Sequence, residues 1–277
     1  MLKRVTLDFI KKQKGSKTPF VAITAYDFTS AKLVDSVGIP LILVGDSAAM
    51  VIYGYENTIP VTMEEMLFIV SSVSRGAKQS MVVADMPFLS YQQSVETAIL
   101  NAGKFIKLAG AHCVKLEGGL EMCPQIKGIT NSGIPVIGHI GLTPQSVHKL
   151  SGYKVQGKTK AAAKKLYQDA LSIQEAGAFA LVLEGVPEEL GQHITANIDI
   201  PTIGIGAGKY CDGQIQVYHD LLGLFDTFSP KHAKKYTNLN EQIYDSLMKY
   251  KLEVESCQFP NESHCTHIDI DFINKIK

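Results

Sequence analysis

Tryptophan is absent from these 277 residues, and aromatic residues make up only 8% of them. A surface that stacks bases on aromatic rings is therefore poorly supplied. An excess of either charge is also missing, since 27 Lys and Arg face 27 Asp and Glu. No basic field draws in nucleic acid, and no basic amphipathic stretch marks a membrane surface. The five cysteines (113, 123, 211, 257 and 265) are odd in number and form no CxxC. They read as reduced thiols of a cytoplasmic protein, not as a disulfide framework. No apolar run reaches the roughly 18 residues of a membrane helix. Met1 to Gln13 is charged and amphipathic, without the apolar core of a secretory signal. No linker or low-complexity segment divides the chain. One domain over residues 1–277 is expected, and α/β barrels of about 200–250 residues are routinely single domains.

One stretch occurs twice. Ala109-Gly110-Ala111-His112-Cys113-Val114-Lys115-Leu116-Glu117-Gly118 returns as Ala176-Gly177-Ala178-Phe179-Ala180-Leu181-Val182-Leu183-Glu184-Gly185. Each copy reads as a Gly that stops a helix, a short apolar strand, then a carboxylate and a Gly. Continuous apolar runs are what strands buried on both faces look like. Other strands end in the same way: Leu41 to Val44 leads to Asp46, Met81 to Ala84 to Asp85, and Val136 to Gly138 to His139. Polar groups at the carboxyl ends of successive parallel strands mark the active face of a (β/α)8 barrel.

In chain order the pattern predicts a short helix over Val5–Lys12 and strands at Phe20–Tyr26, Leu41–Val44, Met81–Ala84, Cys113–Glu117, Pro135–His139, Ala180–Glu184, Pro201–Gly206 and, weakly, Gly213–Tyr218. Helices are expected at Ala31–Val37, from Thr62 to about Arg75, after a cap at Ser90, near Leu120–Asn131, and at Lys160–Ala176, Glu188–Asn197, His219–Phe225 and Asn238–Leu252. Thr62-Met63-Glu64-Glu65 is a capping box, with Val61 and Met66 as its staple. Gly45 to Pro60 reads as a long loop, and such loops are usually functional. The alternation of strand and helix predicts an α/β fold, a (β/α)8 TIM barrel with its core at about residues 20–230, an N-terminal helix and a C-terminal helical extension.

Asp46 and Asp85, at the mouths of adjacent strands, suit a hard divalent cation such as Mg²⁺, with Glu117 on the next strand. Alone, each Asp could equally cap the helix that follows. Lys115 and Glu117 lie two apart and share a face. Lys115 could neutralise Glu117, bind a substrate carboxylate, or do both. Glu184 is either a base or a salt-bridged structural residue. His139 orients a ligand or is a satisfied core histidine, and His112 reads as structural. Gly204-Ile205-Gly206-Ala207-Gly208 stands where many barrels hold phosphate, but it lacks the third Gly of a dinucleotide fingerprint and could be only a tight loop.

Several runs carry a closer likeness: Thr24-Ala25-Tyr26-Asp27, Val44-Gly45-Asp46-Ser47, Pro60-Val61-Thr62, Val83-Ala84-Asp85-Met86-Pro87-Phe88, Val114-Lys115-Leu116-Glu117-Gly118-Gly119, Gly138-His139-Ile140-Gly141-Leu142-Thr143-Pro144-Gln145-Ser146, Gly152-Tyr153-Lys154-Val155-Gln156-Gly157, Ile203 to Gly208, and His219-Asp220-Leu221-Leu222-Gly223. Through them the chain, over about residues 1–265, resembles the ketopantoate hydroxymethyltransferase family. The resemblance implies a barrel of the phosphoenolpyruvate/pyruvate group that moves a one-carbon unit from 5,10-methylenetetrahydrofolate to 3-methyl-2-oxobutanoate, giving 2-dehydropantoate for pantothenate synthesis. It places Asp46, Asp85 and Glu117 on the family's Mg²⁺ positions. Asp46, Ser47, Asp85 and Lys115 fall on its keto-acid positions, and Glu184 on its proton acceptor. It also implies a homodecamer of two pentameric rings. The chain departs from the family pattern at Gly185, where Cys is expected, and at Ala48-Ala49, which replace Leu-Gly. The tail after Cys265 runs past the usual end. The rival readings are another Mg²⁺-dependent 2-oxo-acid lyase or mutase on the same barrel, and a barrel that binds the keto acid without turnover.

Overall fold

The computed structural model describes residues 4–225 and 230–276. Of the expected N-terminal run and C-terminal tail, residues 1–3 and 277 lie outside the described residues. Eight parallel strands close into a barrel in sequence order: β1 (Phe20–Thr24), β2 (Leu41–Val44), β3 (Met81–Asp85), β4 (Cys113–Glu117), β5 (Val136–Gly141), β6 (Ala180–Glu184), β7 (Thr202–Ile205) and β8 (Gly213–Gln216). The eighth strand, weak in sequence, closes the ring by pairing Phe20 with Gly213 and Ile23 with Gln216.

Strand residues alternate between two cores because successive side chains point to opposite faces. Leu41, Leu43, Met81, Val83, Cys113, Ile137, Val182 and Ile203 fill the barrel interior. Ile42, Val82, Val114, Leu116, Leu181 and Leu183 face the surrounding helices. The helix Leu7–Lys11 closes the amino-terminal end, with Ile10 fully buried against the interior cluster. Thr6 caps it, accepting a hydrogen bond from the Phe9 N–H. His112 has the structural place expected of it, its Nδ1 accepting the Val82 N–H at 2.9 Å.

The capping box at Thr62 forms in both directions: Thr62 Oγ1 accepts from the Glu65 N–H at 3.2 Å, and Glu65 Oε2 accepts from the Thr62 N–H at 2.7 Å. The helix expected from Ala31 starts earlier, at Phe28, because Asp27 caps it. Ser90 is not the cap expected for the next helix. That role falls to Ser94, whose hydroxyl accepts the Thr97 N–H, and the helix runs Val95–Lys107. The segment read as a long loop contains the short helix Ala48–Val51. The closing helix is shorter than expected, Tyr218–Leu222, and ends at left-handed Gly223. The C-terminal helix Leu239–Glu255 has no buried residue among those described. No helix among the described residues is long and apolar enough to cross a membrane.

One glycine is decisive for the barrel's mouth. Gly141 lies opposite Glu184 in the β5–β6 register and has φ +98°. A Cβ there would run into the Glu184 carbonyl oxygen. Gly141→Ala is expected to cost at least about 1–3 kcal/mol from its backbone conformation alone. It should also displace Glu184. Urea denaturation with a parallel turnover assay checks both, and unchanged stability would refute the close approach.

Candidate active site

On β3 to β6 the inward alternation turns from apolar to polar and charged near the carboxyl end. On β3 it runs Met81, Val83, Asp85, and on β4 Cys113, Lys115, Glu117. Register then sets neighbours side by side, Asp85 with Lys115 and Glu117 with His139. Asp46 and Ser47 follow β2. A Cβ at Gly45 would stand only 2.7 Å from Ser47 Oγ. The sequence candidates Asp46, Asp85, Lys115, Glu117, His139 and Glu184 are thus brought into one cluster, and Ser47 adjoins it.

Lys115 pairs with Glu117, as its spacing suggested, but sits closer to a second carboxylate. Its Nζ donates to both oxygens of Asp85, each at 2.7 Å, while Glu117 Oε1 lies 3.8 Å away. The strand register decides this, because a neighbour across the sheet lies nearer than the residue two along the same strand. The Asp46 N–H donates to Asp85 Oδ2 at 3.1 Å. His139 stands between two carboxylates, with Nδ1 3.3 Å from Glu117 Oε1 and Nε2 3.4 Å from Glu184 Oε2. These are ion-pair distances, although neither contact has aligned hydrogen-bond geometry. His139 is therefore not an ordinary core histidine.

The electrostatics follow from too much buried negative charge. Burial, then repulsion from Asp85 and Glu117, holds the Asp46 carboxyl well above the usual range. Burial also raises Asp85, although Lys115 opposes it. Burial and the Lys115 charge both depress the His139 imidazole, but Glu117 and Glu184 outweigh them and push it up to about 9. Lys115 is disfavoured by burial, yet the surrounding carboxylates raise it above its ordinary value and keep it cationic.

Residues that the sequence did not single out complete the cluster. Gln145 Nε2 donates to Asp46 Oδ2 and to the Met86 carbonyl, each at 2.9 Å, and its N–H donates to Glu117 Oε2 at 3.0 Å. The Tyr91 hydroxyl lies 2.9 Å from Gln145 Oε1 and accepts the Glu117 N–H at 3.1 Å. Tyr26 and Ser47 share a hydroxyl contact of 2.8 Å. Half-exposed Tyr153 has its phenol raised by burial and then by Asp46, Glu184 and Glu117. Gln145 was visible only as part of a quoted run. Nothing local marks it, because its side-chain partners stand 99, 59, 54 and 53 positions away. In the Gly204–Gly208 loop, Gly206 and Gly208 both have positive φ, and a Cβ at Gly208 would strike Glu188. The loop is tight for steric reasons.

Charged side chains converging at the carboxyl ends of a closed parallel barrel define a (β/α)8 barrel of enzyme type. Solved structures share the fold: phosphonopyruvate hydrolase in complex with oxalate and Mg²⁺ (TM-score 0.61, 12% identity, 99% of this chain and 94% of that one), and 2,3-dimethylmalate lyase, a PEP mutase/isocitrate lyase superfamily member (TM-score 0.57, 15% identity, 76% and 79%). The sequence profile described as Ketopantoate hydroxymethyltransferase matches residues 4–262. Proteins named 3-methyl-2-oxobutanoate hydroxymethyltransferase are similar over nearly the whole chain. The one from Clostridium botulinum (strain Langeland) is 56% identical over 265 residues, 96% of each chain. That from Dehalococcoides mccartyi (strain CBDB1) is 50% identical over 274 residues, 99% of this chain and 98% of that one. The chain belongs to the ketopantoate hydroxymethyltransferase family, a family of transferases.

Among the described residues Lys115 is the sole ammonium beside these carboxylates, and its side chain is only 4% exposed. Lys115→Met leaves Asp85 and Glu117 buried without it. Breaking a buried pair in this way costs roughly 3–5 kcal/mol. Chemical denaturation should show a loss of that order. A midpoint equal to wild type would mean that the pair contributes nothing to the fold.

Proposed function

We propose that the protein transfers a hydroxymethyl unit to 3-methyl-2-oxobutanoate, with 5,10-methylenetetrahydrofolate as donor, forming 2-dehydropantoate for pantothenate and coenzyme A synthesis. The observation that carries this reading is the convergence of Asp46, Asp85, Lys115, Glu117, His139 and Glu184 at the mouth of one barrel. Family membership supports the hydroxymethyl transfer to the keto acid, and the folate donor is what the family resemblance implies.

The cluster's chemistry fits Mg²⁺. Asp46, Asp85 and Glu117 are oxygen donors, their negative charge exceeds what Lys115 offsets, and Glu117 Oε1 is buried without an aligned donor. Among the described residues no three His, Cys, Asp or Glu side chains form a ready-made metal cage. Mg²⁺ takes oxygen ligands and leaves part of its coordination to water and substrate. Asp46, Asp85 and Glu117 would hold the ion, and when bound it would supply Lewis-acid polarisation of the keto acid's oxygens. The structure of phosphonopyruvate hydrolase with oxalate and Mg²⁺ on the same fold supports this assignment.

Ser47 and Lys115, together with Asp46 and Asp85, form the keto-acid pocket in this reading. Lys115 stays cationic and faces the substrate's carboxylate. Glu184 is the base. Its side chain is 17% exposed, against 1–2% for Asp85 and Glu117, so it is the most open of these carboxylates. It accepts the C3 proton as the C3–H bond breaks. The bonding pair is left on the keto acid as an enolate. As its C3 forms the new bond to the donor's methylene carbon, one of that carbon's two C–N bonds breaks and the electron pair goes to nitrogen. Water then forms the C–O bond as the second C–N bond breaks. One proton of the water stays on the new hydroxyl, while the other, with the proton held by Glu184, goes to the two nitrogens of the departing tetrahydrofolate. His139 Nε2 lies 3.4 Å from Glu184 Oε2 and fixes where that carboxylate stands.

A homo-oligomer is also part of this proposal. The helix Leu239–Glu255 leaves Ile243, Tyr244, Leu247 and Tyr250 exposed. An exposed apolar face of this kind supports assembly. The decamer of two pentameric rings is what the family resemblance adds.

Formation of 2-dehydropantoate from the two substrates, with and without Mg²⁺, tests the reaction. For the base, wild type with Mg²⁺ in D₂O should exchange the C3 hydrogen of 3-methyl-2-oxobutanoate, followed by NMR of the methine signal. Glu184→Gln should keep keto-acid binding and lose exchange by about 10²–10⁴-fold. Exchange at the wild-type rate in that variant would assign the proton to another group.

A further inference from the structure

Gln145 belongs to no strand, and the reaction as written gives it no role. Yet its side chain is among the most fully bonded polar groups in the molecule. It is 4% exposed. A primary amide offers two N–H donors and two acceptor lone pairs. Nε2 has two acceptors, Asp46 Oδ2 and the Met86 carbonyl. Oε1 meets the Tyr91 hydroxyl at 2.9 Å and the Gln92 amide nitrogen at 3.3 Å. The Met86 carbonyl can only accept, so the atom facing it must be the nitrogen. That fixes the amide's orientation and makes its second N–H point at Asp46.

We propose that Gln145 is the positioning residue for the Asp46–Glu117 pair, holding with its side-chain amide and its main-chain N–H the two carboxylates that flank Asp85. The proposal rests on the reading that Asp46 and Glu117 hold a divalent cation. The side-chain amide takes Asp46 Oδ2, while Oδ1 has no hydrogen bond from the described residues. The main-chain N–H takes Glu117 Oε2, and Oε1 has no aligned donor. Each carboxylate is thus anchored by one oxygen: Asp46 Oδ1 accepts no hydrogen bond from the described residues, and Glu117 Oε1 faces His139 Nδ1 at 3.3 Å without an aligned donor. The outer partners of metal-binding carboxylates orient them in this way, and removing one typically costs 10–100-fold in metal affinity. Gln145 also ties the loop after β5 to carboxylates from β2 and β4, so one residue sets the spacing of groups on two strands.

The test is calorimetric titration of the full-length protein with Mg²⁺ alone, without either substrate. Gln145→Met keeps the length and apolar stem of the side chain but loses both amide functions. It should bind Mg²⁺ at least tenfold more weakly, while near-ultraviolet circular dichroism and the metal-free melting temperature stay close to wild type. Gln92→Leu, which removes only the outer contact to Oε1, should bind as wild type does. Asp46→Asn is titrated alongside. If Asp46→Asn binds Mg²⁺ like wild type, the cation reading fails whatever Gln145 does. If Asp46→Asn is weakened and Gln145→Met is not, the positioning role is overturned and the cation reading stands. Equal weakening in Gln92→Leu and Gln145→Met would also overturn it, because the effect would then be general loosening of the loop. Should Gln145→Met fail to fold, Tyr91→Phe takes its place. It frees both Gln145 Oε1 and the Glu117 main chain from the hydroxyl, so it loosens both anchors of the pair and should weaken Mg²⁺ at least threefold, and unchanged affinity there would overturn the proposal.

Discussion

Three buried carboxylates and one ammonium share the mouth of this barrel. Removing ions from water carries a penalty of several kcal/mol per ion after relaxation. The cluster persists because each group has a specific partner. Lys115 grips both oxygens of Asp85, Gln145 holds Asp46 and Glu117, and His139 stands between Glu117 and Glu184. Burial, and then the negative charge of Asp85 and Glu117, raise Asp46. In the proposed reading, that unbalanced charge is what a divalent cation would offset.

The barrel makes that density possible. Its interior is apolar toward the amino-terminal end, where Ile10 closes it, and charged toward the carboxyl end. Parallel register places Asp85 beside Lys115 and Glu117 beside His139 without any loop having to position them. Main-chain contacts then bring the loops close. Gly141 lets β5 pass against the Glu184 carbonyl. Asp169 accepts the Leu120 N–H at 3.1 Å, and a Cβ on Gly119 would collide with its carboxylate, so the turn just after Glu117 is pinned to the neighbouring helix. These contacts hold the clustered carboxylates on rigid elements, where small displacements would matter most.

The C-terminal part follows different rules. The helix Leu239–Glu255 makes its own turn-to-turn ion pairs, such as Lys251 with Glu255, but buries none of its residues. Its amphipathic pattern specifies a helix without specifying what covers it. Stability in most helices comes from packing an apolar face rather than from propensity. Here that face is open in the single chain, and for this reason assembly belongs to the proposed reading of the protein.

Much of the fold was legible in the sequence because its signals are local. The repeated Gly-strand-carboxylate stretch, the capping box at Thr62 and the apolar runs bounded by turns each report the conformation of a few neighbouring residues, and β6 and the helix Glu188–Asn197 lie where they were expected. The same signals misplaced the cap at Ser90, since a Ser followed three residues later by a polar side chain occurs twice in five positions and the backbone chose Ser94. The candidates Asp46, Asp85, Lys115, Glu117, His139 and Glu184 were legible as polar ends of apolar strands. Their pairing was not. Spacing pointed Lys115 at Glu117, which does lie 3.8 Å away, and the barrel added the closer contact to Asp85, because the β3–β4 register sets those two residues side by side. Gln145 shows the limit most clearly. Sequence by itself determined that the chain alternates into a barrel with carboxylates at its mouth. Only the tertiary structure decided which oxygens are held and which are left open, because those hydrogen bonds join residues many tens of positions apart and exist only once the ring has closed.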